Sequence, residues 1–317
     1  MPVVPAGFGG ARIIGWGSAL PETVVTNHDL EASGLDTNDA WVRERTGIER
    51  RHWGGTTASL SVQAGRRALE MSGIDPSLIE VLVLATTTPD QTVPATASTV
   101  QDELGLTCGA FDVNAACSGF VYGLITAHGL IGAGMRHALV IGTDTLSRIT
   151  DKTDRNTAIL FGDGSGAVVL QATQGPGQLL SWDVDSVGAA RHNLYANHGE
   201  KLIMDGKDVF RRAVRIMVDS GEKTLKAAGV TADEITLVVP HQANTRIIEA
   251  AISRLGIPAE RTAIVLQDTG NTSSASIPLA LVHAMDNGRV KDGDLVLMVG
   301  FGAGMTAASA LLRWGAA

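Results

Sequence analysis

Unbroken runs of aliphatic and β-branched residues recur along the chain. In its first half they are VLVLATT (81–87), AFDVNA (110–115), ALVIGTD (138–144) and GAVVLQA (166–172). In its second half they are ITLVVPH (235–241), TAIVLQD (262–268), DLVLMVG (294–300) and ASALLRW (308–314). Runs this short, apolar at consecutive positions, predict strands buried on both faces. Between them apolar residues return at helical spacing. In TASLSVQAGRRALEMSG the apolar face is Leu60, Ala64, Ala68 and Met71, and Gly73 is a C-terminal stop. STVQDELG and DVFRRAVRIMVDSGEKTLKAAG read the same way. Strands alternating with helices predict an α/β fold on a mostly parallel sheet covered on both faces.

The order of elements repeats. Each half reads strand, helix, strand, helix, strand, strand, and Gly-rich segments, FGDGSG and GFGAG, separate the last two strands. This predicts an internal duplication, dividing the chain into residues 1–173 and 174–317. FGDGSG lacks the lysine and the spacing of a phosphate-cradling loop and precedes a strand, so it reads as a tight inter-strand turn. In open α/β sheets ligands bind at the carboxyl ends of the strands. Three chemically capable residues stand there: Cys117 after the second run, His241 after the fifth and Asn271 after the sixth.

Composition narrows the field. The 317 residues exceed what one core usually serves, which agrees with two halves. The net charge of −8 argues against general nucleic-acid binding. Only two cysteines occur, Cys108 and Cys117, with no Cys-x-x-Cys pair, so neither a disulfide framework nor a zinc site is expected. The start, MPVVPAGFGGARIIGWG, lacks a basic segment followed by a long apolar run, and no apolar run is long enough to span a bilayer. A cytoplasmic protein is expected.

A cysteine at the first turn of a helix meets unpaired N–H groups and the positive end of the helix dipole, and both favour the thiolate. The small neighbours Ala115, Ala116, Ser118 and Gly119 suit a sharp strand-to-helix turn. The same stretch also suits an inert core cysteine, since free cysteine is among the most buried residue types. Cys108 is read as packing. His241 precedes the amphipathic QANTRIIEAAISRLG and can donate a hydrogen bond, move a proton or simply brace a turn. Asn271 in GNTSSAS can be a donor, a turn residue or a helix cap. Arg211, Arg212 and Arg215 on one helix, with Arg246 and Arg254 on another, form a basic patch suited to an acidic partner, or an ordinary solvated face.

DVNAACSGF, VVPHQANTRII, GNTSSASIPLAL and FGDGSGAVVL together resemble the β-ketoacyl-acyl carrier protein synthase III family of thiolase-fold condensing enzymes. WVRERTGIERRH and GFGAGMTAASALLRW agree, and the likeness runs from Arg12 to Trp314. The Cys-His-Asn set separates this branch from Cys-His-His elongating synthases and from thiolases, which carry a second cysteine near the C-terminus. The resemblance implies a duplicated fold of two pseudo-symmetric halves, with mixed sheets in α/β/α/β/α layers. It implies a decarboxylating Claisen condensation of an acyl-CoA primer with malonyl-acyl carrier protein, through an acyl-enzyme on Cys117. His241 and Asn271 would donate to the enolate, and the N–H groups of Cys117 and Ala303 would form the oxyanion hole, with Gly300, Gly302 and Gly304 permitting close approach. Trp41 and Arg155 would sandwich the adenine of CoA, with Thr37 and Arg45 as further contacts. Val93 would end the partner subunit's acyl pocket in a homodimer, with Phe120 and Phe301 packed near the cavity. Acyl carrier protein would dock on the arginine patch. No metal and no cofactor besides the thioester substrates is implied. Alternatives are a relative in secondary metabolism performing acyl transfer or another condensation, a non-catalytic acyl-CoA or carrier-binding protein, and a cysteine hydrolase.

Overall fold

The computed structural model describes residues 9–315. Strand β1 (Ala11–Ala19) leads into a small hairpin, β2 (Val24–Thr26) and β3 (Arg50–His52), whose connection carries helices α1 (Asn27–Ala32) and α2 (Asp39–Thr46). Helix α3 (Thr57–Ser72), strand β4 (Val81–Ala85), helix α4 (Thr96–Glu103) and strand β5 (Gly109–Val113) follow. Then come helix α5 (Gly119–Gly132), strand β6 (His137–Thr145), the short helix α6 (Arg155–Ala158) and strand β7 (Asp163–Ala172). The second half opens with β8 (Leu179–Ser186) and a hairpin, β9 (Leu194–Tyr195) and β10 (Ile203–Met204). Helix α7 (Gly206–Ala228), strand β11 (Leu237–Pro240), helix α8 (Thr245–Leu255) and the single turn α9 (Leu266–Thr269) precede helix α10 (Ser276–Asp286). Strands β12 (Leu295–Gly302) and β13 (Thr306–Arg313) complete the fold.

The first large sheet has the order β1-β7-β6-β4-β5 and the second β11-β12-β13-β8. Reversed, the second repeats the first, since β8-β13-β12-β11 corresponds to β1-β7-β6-β4. Helix α3 covers the outer face of the first sheet and α7 that of the second, while α5 and α10 lie between the sheets. The layers are therefore α/β/α/β/α. The largest core cluster joins Val83, Phe120 and Val140 of the first half to Val239, Met298 and Ala310 of the second, so the halves share a central core. Among the described residues no helix is long and apolar enough to cross a membrane.

The structure departs from the sequence reading at four points. First, the sheets are mixed, as the resemblance implies, and not mostly parallel as the runs alone predict. β4 pairs in parallel with β5 and β6, and β11 with β12, but β7 and β13 run antiparallel to both their neighbours. The turn of three residues between β12 and β13 permits only an antiparallel return. Secondly, TAIVLQD is not a strand; one bridge, Val238 to Thr262, remains of the expected pairing. The Gln242 side chain takes the place of a ladder, donating to Ala263 O at 3.1 Å and accepting Val265 N–H at 3.0 Å. Thirdly, FGDGSG is no turn, since Asp163 onward already belongs to β7. Its glycines admit α10: a Cβ at Gly166 would lie 2.7 Å from Pro278 Cβ. Lastly, Met71 is exposed, while Leu60, Ala64 and Ala68 are buried. Helix α3 ends at Gly73 in the left-handed conformation, as the sequence predicts. Strands β1 and β8 carry no long unbroken apolar run, because their burial alternates.

Candidate active site

Cys117 sits in a one-turn helix, Ala116–Ser118, between β5 and α5. Asn114 Oδ1 accepts Ala116 N–H at 3.2 Å, and Ala116 itself takes a left-handed φ of 49°. The sulfur is buried. Burial pushes the thiol up to about 12, the negative charge of Asp144 works in the same direction, and a hydrogen bond with Ser273 opposes them. This corrects the expectation that the helix end favours a thiolate: the turn is short, desolvation outweighs it, and the resting group is a neutral thiol.

His241 follows β11 and donates its N–H to Val299 O at 2.8 Å. Its ring is 1% exposed and packs edge-on against Phe301, with centroids 5.3 Å apart. Burial lowers its pKa to about 3, so the imidazole is neutral at pH 7. Nδ1 lies 2.6 Å from Ser276 Oγ, which also accepts Gln242 N–H at 3.3 Å. With Gln242 donating to it, the Ser276 hydroxyl can give its proton to Nδ1. That assignment puts the ring proton on Nε2, which has no partner among the described residues.

Asn271 is pinned from both sides. Its N–H donates to Leu160 O at 2.8 Å and its carbonyl accepts Gly162 N–H at 3.0 Å. Its Oδ1 accepts Ser273 N–H at 2.9 Å, which leaves the Nδ2 donors directed elsewhere. The turn between β12 and β13 closes the site. A Cβ on Gly302 would lie 2.6 Å from Cys117 N, so only glycine lets this turn, with Ala303 in it, come so close.

One cavity of about 590 Å³ brings together Cys117, His241, Asn271, Phe301 and Ala303, with Trp41 and Arg45 at another part of its wall. The guanidinium carbons of Arg45 and Arg155 each lie 4.7 Å from the Trp41 ring centroid. Arg155 thus rests directly on the indole, held by Asp36 at 3.0 Å, and a base entering between them must displace it. Thr37 does not line the cavity; its hydroxyl is buried without a hydrogen-bond partner among the described residues. Phe120 is corrected from the cavity to the core, where it is fully buried beneath the strands. Val93 is 81% exposed and lies outside this chain's cavity. Arg211 and Arg212 pair with Asp208, and Arg215 with Asp219 at 3.4 Å, so these three are partly neutralised. Arg246 and Arg254 are exposed on α8. Sequence reasoning missed Ser273 and Ser276; their spacing of two and five residues after Asn271 was the available signal.

A buried thiol at a strand-to-helix turn in one half, sharing a cavity with an imidazole and a carboxamide from the other across a duplicated five-layer fold, is the architecture of the thiolase-fold condensing enzymes. Comparison with known proteins narrows this. Residues 111–188 match the model for 3-oxoacyl-[acyl-carrier-protein (ACP)] synthase III, and residues 225–314 match that for its C-terminal part. The chain is 46% identical to β-ketoacyl-[acyl-carrier-protein] synthase III 1 of Bacillus anthracis, over 96% of this chain and 98% of that protein. It is 46% identical to the β-ketoacyl-[acyl-carrier-protein] synthase III of Rhizobium meliloti, over 95% and 98%. The crystal structure of 3-oxoacyl-[acyl-carrier-protein] synthase III from Aquifex aeolicus superposes with a TM-score of 0.94 at 42% identity, covering 96% of this chain and all of that one. The chain belongs to the 3-oxoacyl-[acyl-carrier-protein] synthase III family. It is a transferase, and its reaction is the initiating condensation of fatty acid synthesis.

Proposed function

We propose that Cys117 carries the primer acyl group and that His241 and Asn271 drive decarboxylation of the malonyl thioester. The thiol of Cys117 attacks the acyl-CoA carbonyl. The carbonyl–sulfur bond to CoA breaks, and the thiol proton ends on the departing CoA sulfur. Malonyl-acyl carrier protein enters next and loses CO₂, leaving an enolate. Nε2–H of His241 and an Nδ2–H of Asn271 donate to the enolate oxygen. Its carbon attacks the Cys117 thioester, the tetrahedral oxyanion faces the N–H groups of Cys117 and Ala303, and the sulfur leaves, taking one proton from solvent. The product is a 3-oxoacyl carrier protein. Neutral donors fixed in a buried site suit a charge that develops only during reaction, and each is worth about 2.7–4 kcal/mol of barrier.

The observation that carries this reading is the meeting, in one buried cavity, of the thiol with two donors whose other atoms are already engaged. Intact mass after incubation with acyl-CoA tests it. One acyl group should appear on the protein and none on Cys117→Ser, and malonyl-acyl carrier protein should discharge it. His241→Ala and Asn271→Ala should acylate and fail to discharge. Acylation at another residue would sink the reading.

The remaining roles rest on placement. Trp41 with Arg45 and Arg155 offers planar faces for a base, and Thr37 supplies an unengaged hydroxyl nearby in sequence. Exposed Arg246 and Arg254, with Arg211 and Arg215, suit an acidic carrier protein. Strand β5 is a free edge of the first sheet, with Phe111 and Val113 only half-buried. Asp112 on it holds the start of α4, three residues beyond Val93. A second copy pairing along β5 would bring Val93 to the partner's acyl pocket. Both cysteines are free thiols, which fits a reducing cytoplasm.

A further inference from the structure

Two loops of the molecule are copies of one another. After β5, Asn114 is followed by Ala115, Ala116 and Cys117; before α10, Asn271 is followed by Thr272, Ser273 and Ser274. In both, the asparagine Oδ1 accepts the N–H two residues on, at 3.2 Å from Ala116 and 2.9 Å from Ser273. In both, that residue is left-handed, with φ of 49° and 52°. In both a one-turn helix follows, closed by Ser118 N–H to Ala115 O at 3.2 Å or Ala275 N–H to Thr272 O at 3.1 Å, and runs into α5 or α10. Ser274 therefore holds in the second half the place that Cys117 holds in the first.

The strands that face the two loops correspond as well. On β12, a Cβ at Gly300 would lie 3.9 Å from the Cys117 carbonyl oxygen, and one at Gly302 2.6 Å from Cys117 N. On β6, a Cβ at Gly142 would lie 2.5 Å from the Ser274 carbonyl oxygen. Two residues on, where β12 has Gly302, β6 has Asp144. Its Oδ2 accepts the Ser274 N–H at 2.9 Å and the Ser274 hydroxyl at 2.8 Å. Glycine keeps clear the space beside the Cys117 N–H. A carboxylate fills the matching space in the copy.

Asp144 is fully buried. Its oxygens meet three backbone N–H groups, of Thr87, Thr88 and Ser274, and four hydroxyls, of Thr86, Thr87, Thr88 and Ser274, all within 3.1 Å. No cation is among them; hydrogen-bond donors alone engage its lone pairs, as a buried polar group requires. One oxygen ties down residues 86–88, of which Thr87 lines the cavity. The other ties down Ser274, the neighbour of the Ser273 that fixes Asn271.

We infer that Asp144 is a built-in anion occupying the second half's counterpart of the oxyanion hole, and that it thereby acts as a positioning residue for Asn271. This rests on the roles proposed above for Cys117 and Asn271. Asp144→Ala in the full chain, with formate as probe, tests it. The variant should melt below wild type, and formate should restore its melting temperature while formamide does not; wild type should respond to neither. Decarboxylation of malonyl-acyl carrier protein by the acylated variant should fall about 100-fold, the scale of one misplaced donor, and recover in formate, with Cys117 acylation close to wild type. A folded variant indifferent to formate overturns the inference. Restored melting with equal losses in both half-reactions keeps the anion niche and overturns the positioning role. If Asp144→Ala folds only in formate, the niche stands. If it folds under neither condition, isosteric Asp144→Asn decides: a selective loss of decarboxylation supports the inference, and wild-type rates or equal losses overturn it. The melting response needs no catalysis, so it is read even if the roles of Cys117 and Asn271 fail.

Discussion

His241 should give the protein two pH responses that move apart. Its ring is 1% exposed and titrates at about 3 instead of 6.5, because burial penalises the imidazolium. Consider a shift from pH 7.5 to 5.5. In the folded chain roughly 0.3% of His241 carries a second proton at the lower pH, against about 90% for a histidine of ordinary pKa. The Nε2–H donor is therefore intact, and decarboxylation of a malonyl thioester by enzyme already acylated on Cys117 should be flat across this range. Stability behaves otherwise. The unfolded chain binds the proton near pH 6.5 and the folded chain does not, so stability falls as pH drops below 6.5 and goes on falling towards 3. Over the two pH units the loss from this one residue is about 1.4 kcal/mol. Other groups titrate as well, so the quantity to measure is the difference between wild type and His241→Gln in urea unfolding at the two pH values. Wild type should lose about 1.4 kcal/mol relative to the variant. A single-turnover rate that halves near pH 6.5, or an unfolding difference that does not change, would refute the claim that the ring is held neutral by burial.

Other expected outcomes follow from single contacts. Gly302→Ala places a Cβ 2.6 Å from Cys117 N and 2.9 Å from Ala116 Cβ, and should cut Cys117 acylation about 100-fold or more while circular dichroism stays native. Ser276→Ala removes the partner of His241 Nδ1 and lets the ring proton leave Nε2; decarboxylation should fall about tenfold with acylation unchanged, consistent with one hydrogen bond of about 1.5 kcal/mol. Trp41→Ala should raise KM for acyl-CoA about tenfold with little change in kcat, the scale of one stacked base. Charge reversal at Arg215 and Arg246 should raise KM for the carrier substrate, less so at high salt, and leave acyl-CoA loading alone; equal effects on both would count against docking there.

The strands and helices buried on all sides were legible, because an unbroken apolar run or a 3.6-residue period survives any tertiary context. What was not legible depended on partners distant in sequence. Ala263 to Val265 have strand composition, yet only the Ala263 N–H reaches β11, at Val238 O, and the Gln242 side chain engages Ala263 O and Val265 N–H in place of a longer ladder. β1 and β8 bury only alternate positions, and the glycines of β1, which let α3 lie against it, disguise that alternation. The cavity residues Cys117, His241 and Asn271 could be read from their place at strand ends. The ionisation of Cys117 could not, because a local dipole argument sees the turn and misses the burial that outweighs it.

The backbone of the site explains why its finer details are silent in the sequence. Among the described residues the left-handed non-glycine positions are Ala116, Ser273 and Met305, one on each loop that meets at the cavity. Nothing in alanine, serine or methionine announces that conformation, which costs such residues about 1–2 kcal/mol. It persists because hydrogen bonds within each loop or from neighbouring segments hold it. Asn114 and Asn271 each bind the N–H two residues on. The bonds from Asn271 to Leu160 and Gly162 anchor the second loop, and Val187 N–H binds Met305 O at 3.2 Å in the third. The strain aims the Cys117 turn and the Asn271 loop from opposite halves into one hollow. It is held by the duplicated architecture, not by local preference, so a reader of either half alone would find a loop and miss the site.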